Sequence, residues 1–136
     1  MRRFIALVAL LASGPSLGAS WVQVATHDVD VEYYVDTNSI KPFREWLQAS
    51  IRVASVQPFP SLVEYRSYQS LNAYDCARGL TAPLSFKWYK NATWNGRTVA
   101  IGNIQFSAKS WMKPSLTTSP AHIMQFVCEQ VVTTPN

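Results

Sequence analysis

The sequence predicts an α+β fold, a single domain with an antiparallel β-sheet of about five to six strands and a C-terminal α-helix tied to the sheet by one disulfide. Three observations lead to this prediction. Short segments of alternating apolar and polar residues recur along the chain, and residues typical of turns separate them. The last apolar residues recur at helical spacing. The two cysteines form an even pair that one bond can satisfy.

The N-terminus has the layout of a secretory signal peptide. A charged start, Met1 to Arg3, precedes the apolar run from Phe4 to Ala12, and small residues follow up to Ser20. We therefore assign residues 1–19 to a leader that is cleaved at about residue 18–20. The apolar run is about half as long as a membrane-spanning helix, so no transmembrane segment is predicted.

Residues 20–136 form the predicted mature domain, whose length suits one domain and not two. The cleavage region has no cysteine that could accept a lipid anchor. The sequence therefore predicts an exported protein in the periplasm, on the cell surface or secreted, and not a lipoprotein.

The first half of the domain contains three predicted strands. Two short ones run from Trp21 to Thr26 and from Glu32 to Asp36, where a turn through Ser39 follows. Pro42 predicts a break before a long, half-buried strand from Glu45 to Gln57. The apolar residues of that long strand share one parity: Leu47, Ala49, Ile51 and Val53.

The second half begins with a turn at Pro58 to Ser61 and a long polar strand from Leu62 to Cys76. The following strand has the cleanest alternation, which assigns three apolar residues to the core and Lys87 to the outside. Asn95-Gly96 predicts a hairpin turn with positive φ at both residues. A bulge at Gly102-Asn103 would keep the apolar residues of the return strand on the core side. The three core residues of the alternating strand are Leu84, Phe86 and Trp88.

The last element is a predicted helix. Ser119 is suited to cap it and Pro120 to its first turn. Cys128 falls on its buried face and Cys76 at the end of a strand. In an oxidising compartment such a pair predicts a disulfide that joins the helix to the sheet. The predicted buried face consists of Ile123, Met124, Val127, Cys128 and Val131, opposite His122, Gln125 and Glu129.

The charges are unevenly distributed. Removal of the leader lowers the net charge from +4 to +2, because Arg2 and Arg3 are lost. From Ser20 to Cys76 seven acids face four bases, a balance of −3, whereas from Ala77 onward six bases face one acid, a balance of +5. This asymmetry would permit a basic face for an acidic partner. The alternative is ordinary solvated strand faces.

Catalytic chemistry is not indicated. His27 and His122 show no Ser-His-Asp or Cys-His order, so no catalytic or cofactor-binding residue is predicted. Asp28, Asp30 and Glu32 alternate and could point three carboxylates at a calcium ion. They lack the glycine and the distal Glu of a calcium loop, which favours a solvated strand edge and no metal site.

Aromatic and basic residues cluster from Phe86 to Arg97, around the predicted hairpin tip. Such residue types are enriched in protein interfaces, and aromatic rings also stack on sugars or bases. The alternative is that Trp88 belongs to the core and that the other side chains decorate a hairpin. The candidate partner-binding residues are Lys87, Tyr89, Lys90, Trp94 and Arg97.

Several motifs occur together in a distinctive order. They are Trp21-Val22 after the leader, Tyr34-Val35-Asp36 followed by Ser39-Ile40, Tyr74-Asp75-Cys76 with Arg78 close behind, and Trp111 and Pro114 ahead of a helix with Val127-Cys128. From Trp21 to Cys128 the chain thereby resembles the surface-adhesin protein E family of proteobacterial envelope proteins. The resemblance implies a disulfide-tied sheet and helix that act at the cell surface in adhesion to host matrix proteins. The chain departs from the family in lacking the lipobox cysteine.

The sequence thus predicts an adhesin-like binding protein of the cell envelope that is not an enzyme. Its predicted partner is a protein or an extracellular-matrix glycan, and not a nucleic acid. The alternative is a periplasmic protein of envelope homeostasis, or an enzyme inhibitor that plugs a cleft with a loop, without an adhesive role.

Overall fold

The structure, a computed structural model, describes residues 18–26 and 28–132. The predicted leader falls almost entirely outside these residues. Within them, one antiparallel sheet carries a C-terminal helix, which confirms the predicted fold class. The elements are β1 (Trp21–Val24), β2 (Val31–Asp36), β3 (Lys41–Phe43), β4 (Trp46–Ser55), β5 (Ser67–Asp75), β6 (Leu80–Tyr89), β7 (Thr98–Asn103) and α1 (Ser119–Val132).

The main path of the sheet follows the order β1-β2-β4-β5-β6-β7, and β3 pairs with β4. Strands β2 and β3 share one edge of β4, since β2 pairs with its second half and β3 with its first. The predicted break at Pro42 is wrong, because Pro42 lies inside β3, opposite Leu47. A proline is tolerated there because the short strand needs no hydrogen bond on its outer side.

The apolar core lies between the sheet and α1, on what we call the covered face. Ala49, Ile51 and Val53 of β4 are 0%, 3% and 1% exposed, which confirms the predicted parity of this strand. Ile123 and Val127 of the helix pack against the same cluster. Burial of each large aliphatic side chain contributes about 1.5–3 kcal/mol, so this face provides most of the driving force for folding.

The predicted strand from Leu62 to Cys76 starts too early. Strand β5 begins at Ser67, and Leu62 is fully exposed in the loop after β4. That loop is a hairpin extension, because the backbone N–H of Phe59 donates to the carbonyl of Tyr65 at 2.9 Å. The pairing continues toward the strands, because the backbone N–H of Ser55 donates to the carbonyl of Arg66 at 2.8 Å.

Strand β6 departs from the predicted alternation at Leu84, which falls at a shift in the pairing with β5. Beyond the shift, Phe86 and Trp88 lie on the covered face, opposite Ser70 and Tyr68. Both aromatic side chains are half-buried, as is Leu84, so the predicted core position of these three residues holds only in part.

The predicted bulge at Gly102-Asn103 is wrong. Gly102 pairs directly with Phe86, and the irregularity between β6 and β7 lies between Trp88 and Tyr89. The glycine has a different role, since a Cβ atom there would lie 2.8 Å from the Phe86 ring. Because the pairing is regular at Gly102, the preceding residue Ile101 lies on the opposite face, where it is 72% exposed. The sequence had assigned Ile101 to the core.

The hairpin between β6 and β7 is present, but its turn is wider than Asn95-Gly96 alone predicts. The backbone N–H of Lys90 donates to the carbonyl of Arg97 at 3.0 Å, which closes a loop between them. Gly96 has a φ of 77°, as predicted, whereas the second positive φ, 54°, belongs to Trp94 and not to Asn95.

The Cys76–Cys128 disulfide is confirmed. The two Cα atoms lie 5.8 Å apart, and the bond joins the residue after β5 to α1. The helix begins at Ser119 as predicted, but the Ser119 hydroxyl donates to the carboxylate of Asp28. The carbonyl of Thr118 accepts the first backbone hydrogen bonds of the helix.

Candidate functional site

The sheet face opposite α1, which we call the open face, carries a polar groove of about 410 Å³. Because directly paired residues of antiparallel strands point to the same side, the register lines up side chains from β4 to β7 across this face. One row contains Ser50, Leu71, Ser85 and Asn103, and the next contains Arg52, Gln69, Lys87 and Ile101. We call the space along these rows the open-face groove.

Arg52 lies on the open face next to the groove-lining residue Gln69, between two indole rings. Its guanidinium carbon lies 4.3 Å from the ring centre of Trp21 and 5.4 Å from that of Trp94. The Arg52 Nε donates to the side-chain oxygen of Gln69 at 3.0 Å. Cation–π contacts and this hydrogen bond hold the positive charge in a defined position without neutralising it.

Trp94, a predicted partner-binding residue, is folded back onto the sheet. Its Nε1 donates to the backbone carbonyls of Val53 at 3.0 Å and Tyr68 at 3.1 Å. Its backbone N–H donates to the Ser67 hydroxyl at 3.2 Å, and its ring packs edge-on against Tyr34 at 5.4 Å. The structure thus gives Trp94 a positioning role beside Arg52.

Lys87 and Tyr89 line the open-face groove, as two of the predicted binding residues. The Lys87 Nζ lies 5.4 Å from the centre of the Tyr89 ring, which is 8% exposed. Among the residues that the structure describes, no carboxylate lies within ion-pair distance of Lys87 or Arg52. Lys87 in the groove and Arg52 beside it therefore present two cations on the open face whose charges remain available to a partner.

Lys90 and Arg97, the other predicted binding residues, lie elsewhere. Both are exposed at the hairpin tip and line a separate hollow of about 360 Å³ with Glu64 and Arg66. The five predicted residues therefore fall into three places. Two lie in the groove, one lies on the sheet beside Arg52, and two lie at the tip.

The opposite end of the open face holds an aromatic cluster that the sequence did not predict. The ring centres of Trp46 and Trp111 are 4.9 Å apart, and Phe106 lies 5.7 Å from Trp46. Phe43 joins the cluster at 5.3 Å from Phe106, and Arg44 lies over that same ring at 5.1 Å. These residues come from distant parts of the sequence, so no local pattern indicates their contact.

The Arg52 site had a usable signal in the sequence. Arg52 and Tyr34 both occupy the polar parity of their strands, and the two residues pair directly. The parity of β4 therefore placed Arg52 on the open face, but the two tryptophans beside it come from β1 and the hairpin loop. Only the folded sheet brings those rings together.

Asp75 lies at the end of β5, near the aromatic cluster. Its carboxylate accepts from the Arg78 Nε at 2.6 Å and from the Arg78 backbone N–H at 3.1 Å. The hydrogen bond from the Arg78 side chain lowers the pKa of Asp75, against the opposing effect of burial, and the Trp46 side chain lowers it further. The carboxylate thus holds the turn after β5, which contains Cys76.

The three alternating acidic residues considered for calcium do not converge. The Asp28 carboxylate accepts from the Tyr33 hydroxyl at 2.7 Å, and the Glu32 carboxylate accepts from the Tyr34 hydroxyl at 2.8 Å. Among the described residues, no group of three or more His, Cys, Asp or Glu side chains is arranged to hold a metal ion. His27 lies outside the described residues, and His122 is half-buried on α1.

Within the part of the chain that the structure describes, no helix is long and apolar enough to cross a membrane. The described residues form a small disulfide-linked α+β domain, with a helix over one sheet face and a polar groove on the other.

The chain belongs to the surface-adhesin protein E family, whose family model matches residues 21–129. This match confirms the resemblance that the sequence motifs predict and identifies an adhesin-like surface protein. No individual curated protein matches the chain significantly.

Proposed function

We propose that this protein is exported and attaches, without catalysis or a cofactor, to an anionic partner through the open-face groove. The partner is an acidic protein surface or an acidic or sulfated glycan, of the kind found in extracellular matrix. Membership of a family of surface adhesins supports the adhesive role. The chemistry of the groove supports the choice of partner.

The observation that carries this proposal is the pair of cations on the open face. Arg52 and Lys87 lie in one cross-strand row, on either side of Gln69, and each is held against aromatic rings. Positively charged clefts attract anions and raise the local concentration of an anionic ligand. The neighbouring amides and hydroxyls of Gln69, Asn103 and Ser85 add hydrogen-bonding groups suited to sulfate or sugar oxygens.

The hairpin tip extends the basic surface. Lys90 is exposed just beyond the end of β6, the strand that carries Lys87, and Arg97 is exposed just before the start of β7. A long polyanion bound in the groove would pass within reach of this tip. Glu64, in the same hollow, offsets part of the charge. We therefore assign the larger contribution to the groove and the smaller one to the tip.

Immobilised heparin, a sulfated polysaccharide, is the probe that tests this proposal. Lys87→Ser should weaken binding about fivefold, which corresponds to roughly 1 kcal/mol. The matched control is Lys113→Ser, because Lys113 is an exposed lysine that lines neither the open-face groove nor the hollow at the hairpin tip. The control should bind as the parent does, and half-molar salt should release both.

The triple change Lys87→Ser, Lys90→Ser and Arg97→Ser should weaken binding further without lowering the unfolding midpoint, since exposed charges contribute little to folding. Heparin binding that survives both this change and half-molar salt would exclude the basic surface as the contact. A weak effect of the tip pair alone, with a strong effect of Lys87, would support the groove.

A second candidate function has its own observation. Leu62 is fully exposed and Val63 is 45% exposed at the tip of the loop between β4 and β5. The loop is braced below this tip, because Tyr65 stacks on Trp88 at 4.4 Å and on Phe59 at 4.9 Å. A rigid loop with an apolar tip suits insertion into the cleft of another protein, as an inhibitor does.

Location separates the two functions. Protease added to intact cells should degrade the protein if it acts on the surface, whereas a periplasmic inhibitor should be protected until the outer membrane is permeabilised. A periplasmic control protein must survive the same treatment. Full protection would remove the adhesive proposal and leave the loop-mediated one.

A further inference from the structure

The covered face contains a second cavity, of about 180 Å³, beside the start of α1. It arises from a change of residue type along β5. The neighbouring strand β4 presents Ile51 and Val53 to this face, but β5 presents Ser70 and Asn72 between two tyrosines. These two side chains are too small and too polar to fill the space in the way that leucine or phenylalanine would.

The cavity combines an apolar floor with neutral hydrogen-bonding groups. Ile51, Val53 and Ile123 supply aliphatic surface, and the residues that line the cavity in the described structure are all uncharged. Tyr33, Tyr68 and Tyr74 complete the walls.

Burial raises the pKa of each of these three tyrosines, so their hydroxyl groups stay protonated at physiological pH. The cavity is therefore suited to a neutral molecule and disfavours a charged one, which would lose its hydration.

Two features give the cavity a fixed polar side and an adaptable mouth. The Asn72 amide donates to the Tyr74 hydroxyl at 3.4 Å, which holds both groups at the wall. Met112 is bound to Thr81 through two backbone hydrogen bonds of 2.8 and 2.9 Å. The Met112 residue is 57% exposed, and its flexible thioether side chain can adapt to different shapes at the entrance.

We propose that this cavity is a binding site for a small, neutral, mostly apolar molecule, about one aromatic ring in size, with one polar group directed at Ser70 and Asn72. The size is appropriate, because an apolar cavity of about 150 Å³ accommodates benzene. The site lies on the face opposite the open-face groove, so it is independent of the proposed adhesive function.

The test uses p-cresol, a neutral phenol, titrated into the full-length disulfide-bonded protein. Isothermal titration calorimetry should give saturable binding of one molecule per chain, with a Kd on the order of 1 mM or lower. Benzoate, which has a similar ring but a negative charge, should bind at least tenfold more weakly. No saturable p-cresol binding in the millimolar range, or equal binding of benzoate, would overturn the proposal.

The site is located with a variant that fills it. Ser70→Leu should weaken p-cresol binding at least tenfold, because the added side chain occupies the cavity. Ser115→Leu, the same change at an exposed loop position, should leave binding unchanged. Undiminished binding by Ser70→Leu would overturn the assignment of the site.

A direct measurement on the parent protein covers the case in which Ser70→Leu does not fold. Methyl NMR signals of Ile51, Val53 and Ile123 should shift on addition of p-cresol. The methyl signal of Ile101, on the open face, should not shift. Shifts confined to Ile101 or to other surface methyl groups would place the ligand elsewhere and overturn the proposal.

Discussion

The two faces of the sheet use aromatic residues in different ways. On the covered face, Tyr33, Tyr68 and Tyr74 surround an aliphatic core and keep their hydroxyl groups neutral. On the open face, Trp21 and Trp94 hold the side chain of Arg52 between their rings, and a separate aromatic cluster lies at the far end.

The difference follows from the period of two along each strand, which sends neighbouring residues to opposite faces. One face can therefore be optimised for apolar burial while the other retains half-buried polar groups. Stability is expected to depend mainly on the covered face and recognition on the open one. Mutations on the two faces should separate these two properties.

The largest expected effect comes from the bond that holds α1 over the covered face. Replacing Cys76 and Cys128 together by Ala should lower the free energy of unfolding by up to about 4 kcal/mol, since the bond closes a loop of 52 residues. Urea unfolding of the parent and of the variant gives this difference. The unfolding midpoint of the variant should not change with reductant. Reduction should lower the midpoint of the parent to a value close to that of the variant. Equal midpoints would show that the bond adds nothing to the covered face.

A smaller loss is expected from Gly102→Ala. The new methyl group would meet the Phe86 ring, which already lies on the covered face, and such overpacking costs about 1–3 kcal/mol. The double variant Phe86→Leu/Gly102→Ala provides the control, because the smaller side chain removes the clash. If the two changes prove additive in unfolding experiments, the clash is not the cause.

Trp94→Phe tests the open face. The change keeps an aromatic ring but removes the N–H that donates to two backbone carbonyls, so stability should fall by about 1 kcal/mol. Heparin affinity should fall as well, because Arg52 loses part of its support. A loss of affinity with an unchanged unfolding midpoint would instead make Trp94 a direct contact residue.

The smallest effect concerns acid stability. The Arg78 side chain lowers the pKa of Asp75 in the folded state. The ionised Asp75 carboxylate therefore contributes its full stabilisation above the ordinary aspartate pKa of about 3.9. That contribution is lost as the pH falls through the lower pKa of the folded state.

Asp75→Asn should therefore reduce the fall in melting temperature between about pH 5 and pH 2. Arg78→Gln should reduce the fall in melting temperature over this pH range in the same way. If the melting temperature of both variants falls with pH as steeply as that of the parent, the Asp75–Arg78 pair does not contribute to acid stability.

Much of the covered face was predictable from the sequence. The parity of β4 and the helical spacing around Val127 report burial directly, because each element buries one side. The disulfide followed from the even number of cysteines. These features depend on local periodicity or on a single pair of residues.

The open face was predicted less well, for physical reasons. Its half-buried residues follow no simple apolar pattern, and the contact between Trp46 and Trp111 joins segments that are far apart in sequence. The position of the register shift beside Tyr89 also depends on pairing, since the glycine that suggested a bulge instead makes room for Phe86. Lys87 was predicted correctly to point away from the covered face because it lies within a regular strand.

The packing of α1 against β1 and β2 has a consequence for the order of folding. The helix is the last described element and these strands are the first two, so their apolar side has no cover until the end of the chain arrives. A chain that emerges from a pore with its N-terminus first would hold Val24 and Val35 exposed during that interval. Contacts between distant segments form slowly and leave such surface open to aggregation. The disulfide between Cys76 and Cys128 is therefore expected to close only as a late step of folding.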